Sequence, residues 1–463
     1  RSYHSAMVGL AEEPLVQEDT KINMESARFD KDKDEVRVDV GQKLIGLTKE
    51  ELENYRNDPF WKNIRMFLFV LFWLLWAAMF VGAVLIVVLS PKCAEKQQSK
   101  WWQSKVSYQL LVPTFFDHDG SDGVGTIAGV TEKIDLLRKI GVTTIYPSPV
   151  LHSQKENYFD VQGVIDHNNV DIRFGTNDDL KQLVEAAHDR DMYVVLDVPL
   201  SSVSKDHPWM QSPNADTDKA FIWKTFAEGA PIPEGYYRAP ARGGKAYLGY
   251  PDAEHPVLDW SNELVKNTIL GAIHKLLDIG VDGFNLDHVA RLAVDESGKP
   301  KHAEAIQRLK DLTGEIRMYI KSRPELENKD IVLFSSLHDI HDDLRASVTE
   351  ANDLHYTIDS SFANLNATSC PKVSKCVHDT LSSALSTYKT SGFTPLWQFS
   401  NAANSRLASR FDADTANLMT FMQLTLPGAM SLYYGQELGL KDGIGGDGAP
   451  QQGIMQWTTK GDD

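Results

Sequence analysis

Hydrophobic residues fall in two regimes along this chain. From Met66 to Leu89 they form one unbroken run, MFLFVLFWLLWAAMFVGAVLIVVL, without a charge. As a helix the run is about 36 Å long, enough to cross a bilayer core of about 30 Å with some tilt. A secretory signal would be shorter and nearer the N-terminus, so 66–89 reads as a membrane span. From Val106 onward the pattern changes to short β-rich runs separated by amphipathic helical stretches. The runs are VSYQLLV, TTIYPSPV, YVVLDVP, GFNLDHV, IVLFSSL, YTIDSS, FTPLWQFS and SLYYGQE, and the helical stretches include VTEKIDLLRKIG and NTILGAIHKLLDIG. Eight strands alternating with helices predict parallel βα units closed into a (β/α)8 TIM barrel over 106–463. One interruption rich in Pro, Gly and aromatics, 200–260, reads as an excursion from the barrel.

The remaining segments are polar. Residues 1–65 include DKDKDE at Asp30 to Glu35 and read as an acidic tail. Thr48 followed by Glu51 resembles a capping box, so a short helix is expected from Lys49 to about Tyr55. The linker 90–105 ends in Trp101-Trp102, which are expected to pack under the domain, because ten or more residues separate them from the end of the span. A net charge of −17 argues against nucleic-acid binding.

Charge does not orient the span. Lys49, Arg56, Lys62 and Arg65 flank one end, and Lys92, Lys96, Lys100 and Lys105 the other. Two weaker signals point the large domain outward. Asn366-Ala-Thr368 is the chain's one glycosylation sequon. Cys370 and Cys376 are near enough in sequence for an intrachain disulfide, which needs an oxidising compartment; the alternative is two free thiols. The chain starts at Arg1 and stops at Gly461-Asp-Asp463, which reads as trimming at both ends.

Several strand-end motifs resemble the α-amylase superfamily of glycoside hydrolases, in its oligo-1,6-glucosidase-like branch. They are Tyr108-Gln109, Asp171-Ile-Arg-Phe-Gly-Thr176, LTLPGAMSLYYGQELGL from Leu424, and Ile454-Met-Gln-Trp457. The resemblance implies an α-amylase-type barrel whose C-terminal β-sandwich is absent or trimmed. It also implies a site, and the site is depleted. Gly283-Phe-Asn-Leu-Asp287 places Asp287 at the nucleophile position, but the arginine two residues earlier is Asn285. The acid/base glutamate falls at or near Ser336, whose hydroxyl cannot protonate a leaving oxygen at neutral pH. The third carboxylate falls at Ala403 in Asn401-Ala-Ala403, and an Asn-His pair becomes Ser201-Ser202, although Asp197 remains. No catalytic residue set is therefore expected, with Asp287 a vestigial nucleophile. Asp117-His-Asp-Gly-Ser-Asp-Gly-Val-Gly-Thr126 resembles the branch's calcium loop, which makes Asp117, Asp119 and Asp122 candidate ligands, with an extra residue and Thr126 where the closing aspartate stands. Otherwise no cofactor is expected.

A single-span protein with such an ectodomain resembles the heavy chains of heteromeric amino acid transporters (solute carrier family 3), of the 4F2 type. Gly46-Leu-Thr-Lys-Glu-Glu-Leu52, Pro59-Phe-Trp61, Phe72-Trp-Leu-Leu-Trp76, Gly82-Ala-Val84, Pro91-Lys-Cys93 and Lys100-Trp-Trp102 carry this likeness. It implies a type II plasma-membrane protein, tail cytoplasmic and barrel extracellular, that is no enzyme. Its partner would be a multi-span amino acid transporter light chain, linked by a disulfide through Cys93 and dependent on this chain for stability and delivery, with membrane lipid around the span. A lone cysteine outside a bilayer suits an intermolecular bond, and a palmitoylated or free thiol is the alternative. The competing reading is a membrane-tethered α-glucosidase-like hydrolase.

Overall fold

The computed structural model describes residues 49–90, 100–148, 150–153, 158–160, 162–211, 214–227, 229–239, 242–337, 340, 344, 348, 354–443 and 449–458. The chain divides into two units, residues 1–96 and 97–463.

In the first unit a short helix, Lys49–Asn54, matches the expected one. Thr48 of its proposed capping box lies outside the described residues. The long helix runs from Pro59 to Leu89. It begins before the apolar run because Asp58 caps it, accepting from Phe60 N at 2.9 Å, and Pro59 occupies its first turn, where no amide partner is needed. Arg65 ties the two helices: its guanidinium donates to Tyr55 O at 2.9 Å and Arg56 O at 3.1 Å. By length and composition the helix can cross a membrane.

In the second unit thirteen strands are described. They are β1 (Val106–Leu111), β2 (Thr144–Ser148), β3 (Leu151–Ser153), β4 (Val164–Val170), β5 (Tyr193–Val198), β6 (Trp223–Thr225), β7 (Tyr236–Arg238), β8 (Lys245–Leu248), β9 (Gly283–Leu286), β10 (Val332–Ser335), β11 (Tyr356–Asp359), β12 (Pro395–Trp397) and β13 (Ala429–Tyr433). Eight of them close a parallel barrel in the order β1-β13-β12-β11-β10-β9-β5-β2; seven lie within predicted runs, and β13 starts two residues before its run at Ser431. The excursion also exists, as a three-stranded antiparallel sheet β6-β8-β7. The β3–β4 hairpin was not foreseen; VIDHNNV carries polar residues on both faces and lacks a clean two-residue period.

Outer helices begin and end where the sequence punctuates them. Thr126 caps Ile127–Lys139, Thr176 and Asp179 form a capping box for Asn177–His188, and Glu263–Ile279 runs from Asn262 to Gly280, which takes φ 111°. Each buries one stripe, such as Val265, Ile269, Ile273, Leu276 and Leu277, against the strands. Gly283 opens β9 because a Cβ there would lie 2.6 Å from Val332 O on the neighbouring strand.

The barrel interior holds Tyr146, Val195, Val332, Phe334, Tyr356 and Leu396, and the tryptophan pair packs against this cluster. Trp101 stacks on Tyr193 with centroids 4.0 Å apart and donates from Nε1 to Asp330 O at 2.9 Å, while Trp102 meets His355 edge-on at 5.4 Å. The expected packing of the linker's end under the domain is therefore present.

Candidate functional site

Strand ends converge on one large cleft of about 980 Å³ at the C-terminal mouth of the barrel. Asp197 (end of β5), Asn285 (β9), Asp287, Ser336 (after β10) and Ala403 all line it. Residues 206 positions apart in sequence thus share one site because parallel strands bring their C-terminal ends together.

The floor is a hydrogen-bonded polar cluster. Tyr146 donates its hydroxyl to Asp197, and Asn285 Nδ2 donates to the same carboxylate at 2.7 Å. Burial pushes the Asp197 carboxyl up, and the charge of Asp287 adds to this, while the Tyr146 and Asn285 donors pull it back. Asp287 accepts from Gln162 Nε2 at 3.0 Å and from the backbone amide of His288 at 2.8 Å. His288 adopts φ 52°, a left-handed conformation that turns the chain directly after Asp287. Sequence reasoning missed Gln162: it sits on the loop before β4, and only folding brings it to Asp287. Asp359 was missed too, though its place at the end of β11 is the kind of position that signals a site.

The cleft is lined by the carboxylates of Asp197, Asp287 and Asp359. Ser336 lines the cleft just after β10, and Asn285 supplies an amide donor without charge. Around Ala403, Asn401 Oδ1 closes a turn by accepting from Ala403 N and Asn404 N, both at 3.0 Å, so no carboxylate faces the cleft there.

The acidic loop at Asp117 differs from a cation cage. Asp117 Oδ1 accepts from Gly120 N and Oδ2 from Gly123 N, both at 2.9 Å; Asp119 and Asp122 likewise accept from the amides of Ser121 and Val124. The carboxylates brace their own turn, and no group of three His, Cys, Asp or Glu suited to a metal forms among the described residues. These residues do not fit the calcium expectation.

Cys370 is buried, Cys376 half-buried, and both are free thiols. A hydrogen bond to Cys370 pushes the Cys376 thiol up. The two sulfurs lie within hydrogen-bonding reach of each other. Asn366 of the sequon sits half-buried in a turn, its Oδ1 accepting from Ser369 N at 2.8 Å. Cys93 lies outside the described residues.

An eight-stranded parallel barrel with a polar cleft at its C-terminal mouth defines a glycosidase-type (β/α)8 domain. The family model described as "Alpha amylase, catalytic domain" matches residues 109–461, and the chain belongs to that family. A second model, "Solute carrier family 3 member 2 N-terminus", matches residues 31–108, so the α-amylase barrel follows a segment similar to that N-terminus. Among curated relatives, the amino acid transporter heavy chain SLC3A1 of Rattus norvegicus is 27% identical over 88% of this chain and 64% of its own length. The oligo-1,6-glucosidase of Heyndrickxia coagulans is 29% identical over 42% of this chain and 37% of its own. In fold, the trehalose-6-phosphate hydrolase of Bacillus licheniformis aligns with a TM-score of 0.65 at 21% identity, covering 74% of this chain and 66% of that one. The chain thus spans just under two thirds of the length of the heavy chain it matches.

Proposed function

We propose that this protein is the accessory heavy-chain subunit of a heteromeric amino acid transporter. The observation that carries this reading is the match over residues 31–108, which lies almost wholly outside the barrel and includes the apolar helix. A lone helix without intramembrane charge offers no path for a polar substrate, so the transport path belongs to a multi-span light chain. In this reading 1–65 is a cytoplasmic tail, 66–89 a signal-anchor span in the plasma membrane, 90–105 an extracellular linker and 106–463 an extracellular barrel without catalysis. Cys93 forms the intersubunit disulfide, and Asn366 carries a glycan. The chain stabilises its partner and delivers it to the cell surface.

Co-expression tests this. Surface light chain and amino acid uptake should rise together, while uptake per surface-resident light chain changes much less. Uptake produced by this chain alone, in a host without light chains, would overturn the reading. The second reading, a tethered α-glucosidase, is favoured by one observation: Asp197 and Asp287 persist together in an open cleft.

A further inference from the structure

One buried histidine joins two segments that are far apart in sequence. His255 is 7% exposed and lies between β8 and the helix Glu263–Ile279. Its Nε2 is 2.7 Å from Asp160 Oδ2, and its Nδ1 is 2.6 Å from Asp252 Oδ1. A neutral imidazole carries one N–H and an imidazolium two. Carboxylates on both ring nitrogens are therefore satisfied together only by the charged form. Burial disfavours that form, but the hydrogen bond and charge of Asp160, followed by those of Asp252, outweigh it and hold His255 above its ordinary value.

The two ends of this bridge are fastened to different parts of the domain. The backbone around His255 belongs to the excursion: Tyr250 N donates to His255 O at 2.9 Å, Val203 N donates to Pro256 O at 3.1 Å, and Val257 packs with Tyr236, Ala246 and Leu248. Asp160 belongs to the loop before β4. Its side chain is 9% exposed and also accepts from Gln162 N at 3.0 Å and Gly163 N at 2.9 Å. Glycine is required at 163, because a Cβ there would lie 2.2 Å from Asp160 Oδ2. The same loop sends Gln162 to Asp287 and places Phe159 on the cleft wall. Asp252, at the other end, is 57% exposed. Among the described residues neither carboxylate has a lysine or arginine partner. The neighbouring Glu254 is held by Lys205 at 2.6 Å, and Arg291 lies over the Tyr250 ring at 4.0 Å.

The two carboxylates lose unequally when the proton leaves. Asp160 is buried and needs a donor, whereas Asp252 can turn to water. The remaining N–H therefore stays on Nε2, and the bare Nδ1 lone pair faces the Asp252 carboxylate. The bond to Asp160 also loses its charge assistance, which roughly halves its strength. We infer that His255 is a proton-dependent clasp: its imidazolium fastens the excursion to the cleft loop, and loss of its proton releases the 250–254 turn and loosens the hold on Gln162 and Gly163. The bridge is complete at about pH 6 and opens as the pH rises above the usual histidine range. The clasp operates whether or not the chain pairs with a light chain.

Hydrogen exchange of the full chain in mild detergent tests this, read by mass spectrometry at about pH 6 and about pH 9 with labelling times scaled for base-catalysed exchange. Protection in peptides covering Gln162–Gly163 and Asp252–His255 should fall about fivefold or more between the two conditions, while a peptide covering β9 keeps its protection. His255→Gln has no proton to lose, so protection in both clasp peptides should be low and equal at the two pH values. Should that variant fold poorly, Asp252→Asn gives a second reading at an exposed position. Its amide can accept from Nδ1–H or donate to a bare Nδ1, so the fall should shrink to about twofold or less. Clasp peptides that keep pace with β9 in the parent chain, or a fall of parental size in either variant, would overturn the inference.

Discussion

Individual side chains in this barrel carry unequal burdens. His167 is 3% exposed, and neither of its ring nitrogens has a partner among the described residues. Burial is the main cause that lowers it to about 3, with His207 adding and Asp166 opposing, while burial lowers His207 to about 4. Both are held neutral in the fold, yet in the unfolded chain they titrate near 6.5. Below about pH 6.5 the unfolded chain therefore binds more protons, and stability falls as the pH drops from there toward 4. Above 6.5 this contribution is fully present. His167→Phe removes one of the two protons without breaking a hydrogen bond. Its melting temperature should drop less than the parent's between pH 7.5 and 5, and equal drops would show that the pair is not the source. Cys93 sets the other prediction at this scale. Cys93→Ser should remove a larger band that non-reducing gels show for the co-expressed light chain. A band that persists in the mutant would assign the bond to another cysteine.

Elements explain how much was legible in advance. All eight barrel strands were readable because a buried parallel strand is apolar on both faces and leaves a short dense run, as in YVVLDVP. The tryptophan pair was readable from its distance to the span. Other features depended on closure of the barrel. Gln162 reaches Asp287 from the loop before β4, 125 residues away, and no local pattern announces such a pair. The thiols of Cys370 and Cys376 flank the start of the helix Val373–Ser391, where spacing alone could not separate bonded from free. The calcium expectation meets a related limit: an Asp-Gly-rich turn satisfying its own amides has the same composition as one gripping a cation. The linker's end yields the prediction at this scale. Trp101→Ala should destabilise the barrel by about 2–3 kcal/mol, through the lost Tyr193 stack and the Asp330 bond. Trp101→Phe should keep most of the stack and cost about 1 kcal/mol for the bond. Denaturant titration separates the two, and a silent Trp101→Ala would mean that the clamp contributes nothing.

At the scale of the whole molecule, a closed hydrolase-type barrel carries Ser336 and Ala403 on its cleft, and the proposed reading makes that site incomplete. Fold and chemistry are held by different residues. The barrel rests on buried apolar positions such as Phe284, Phe334 and Trp397, all at 0% exposure, and these tolerate any change confined to the cleft. Catalysis rests on a few polar positions, and losing a general acid alone lowers rates by about 10²–10⁴-fold. In the proposed reading neither Ser336 nor Ala403 can protonate the leaving oxygen for Asp287. The purified chain should therefore hydrolyse maltose, isomaltose and aryl α-glucosides no faster than buffer. Ser336→Glu with Ala403→Asp returns two carboxylates but leaves Asn285 uncharged and Gln162 bonded to Asp287, so turnover should stay at background. Hydrolysis by the parent chain that disappears in Asp287→Asn would decide for the glucosidase, because that substitution removes the nucleophile while preserving the side chain's shape.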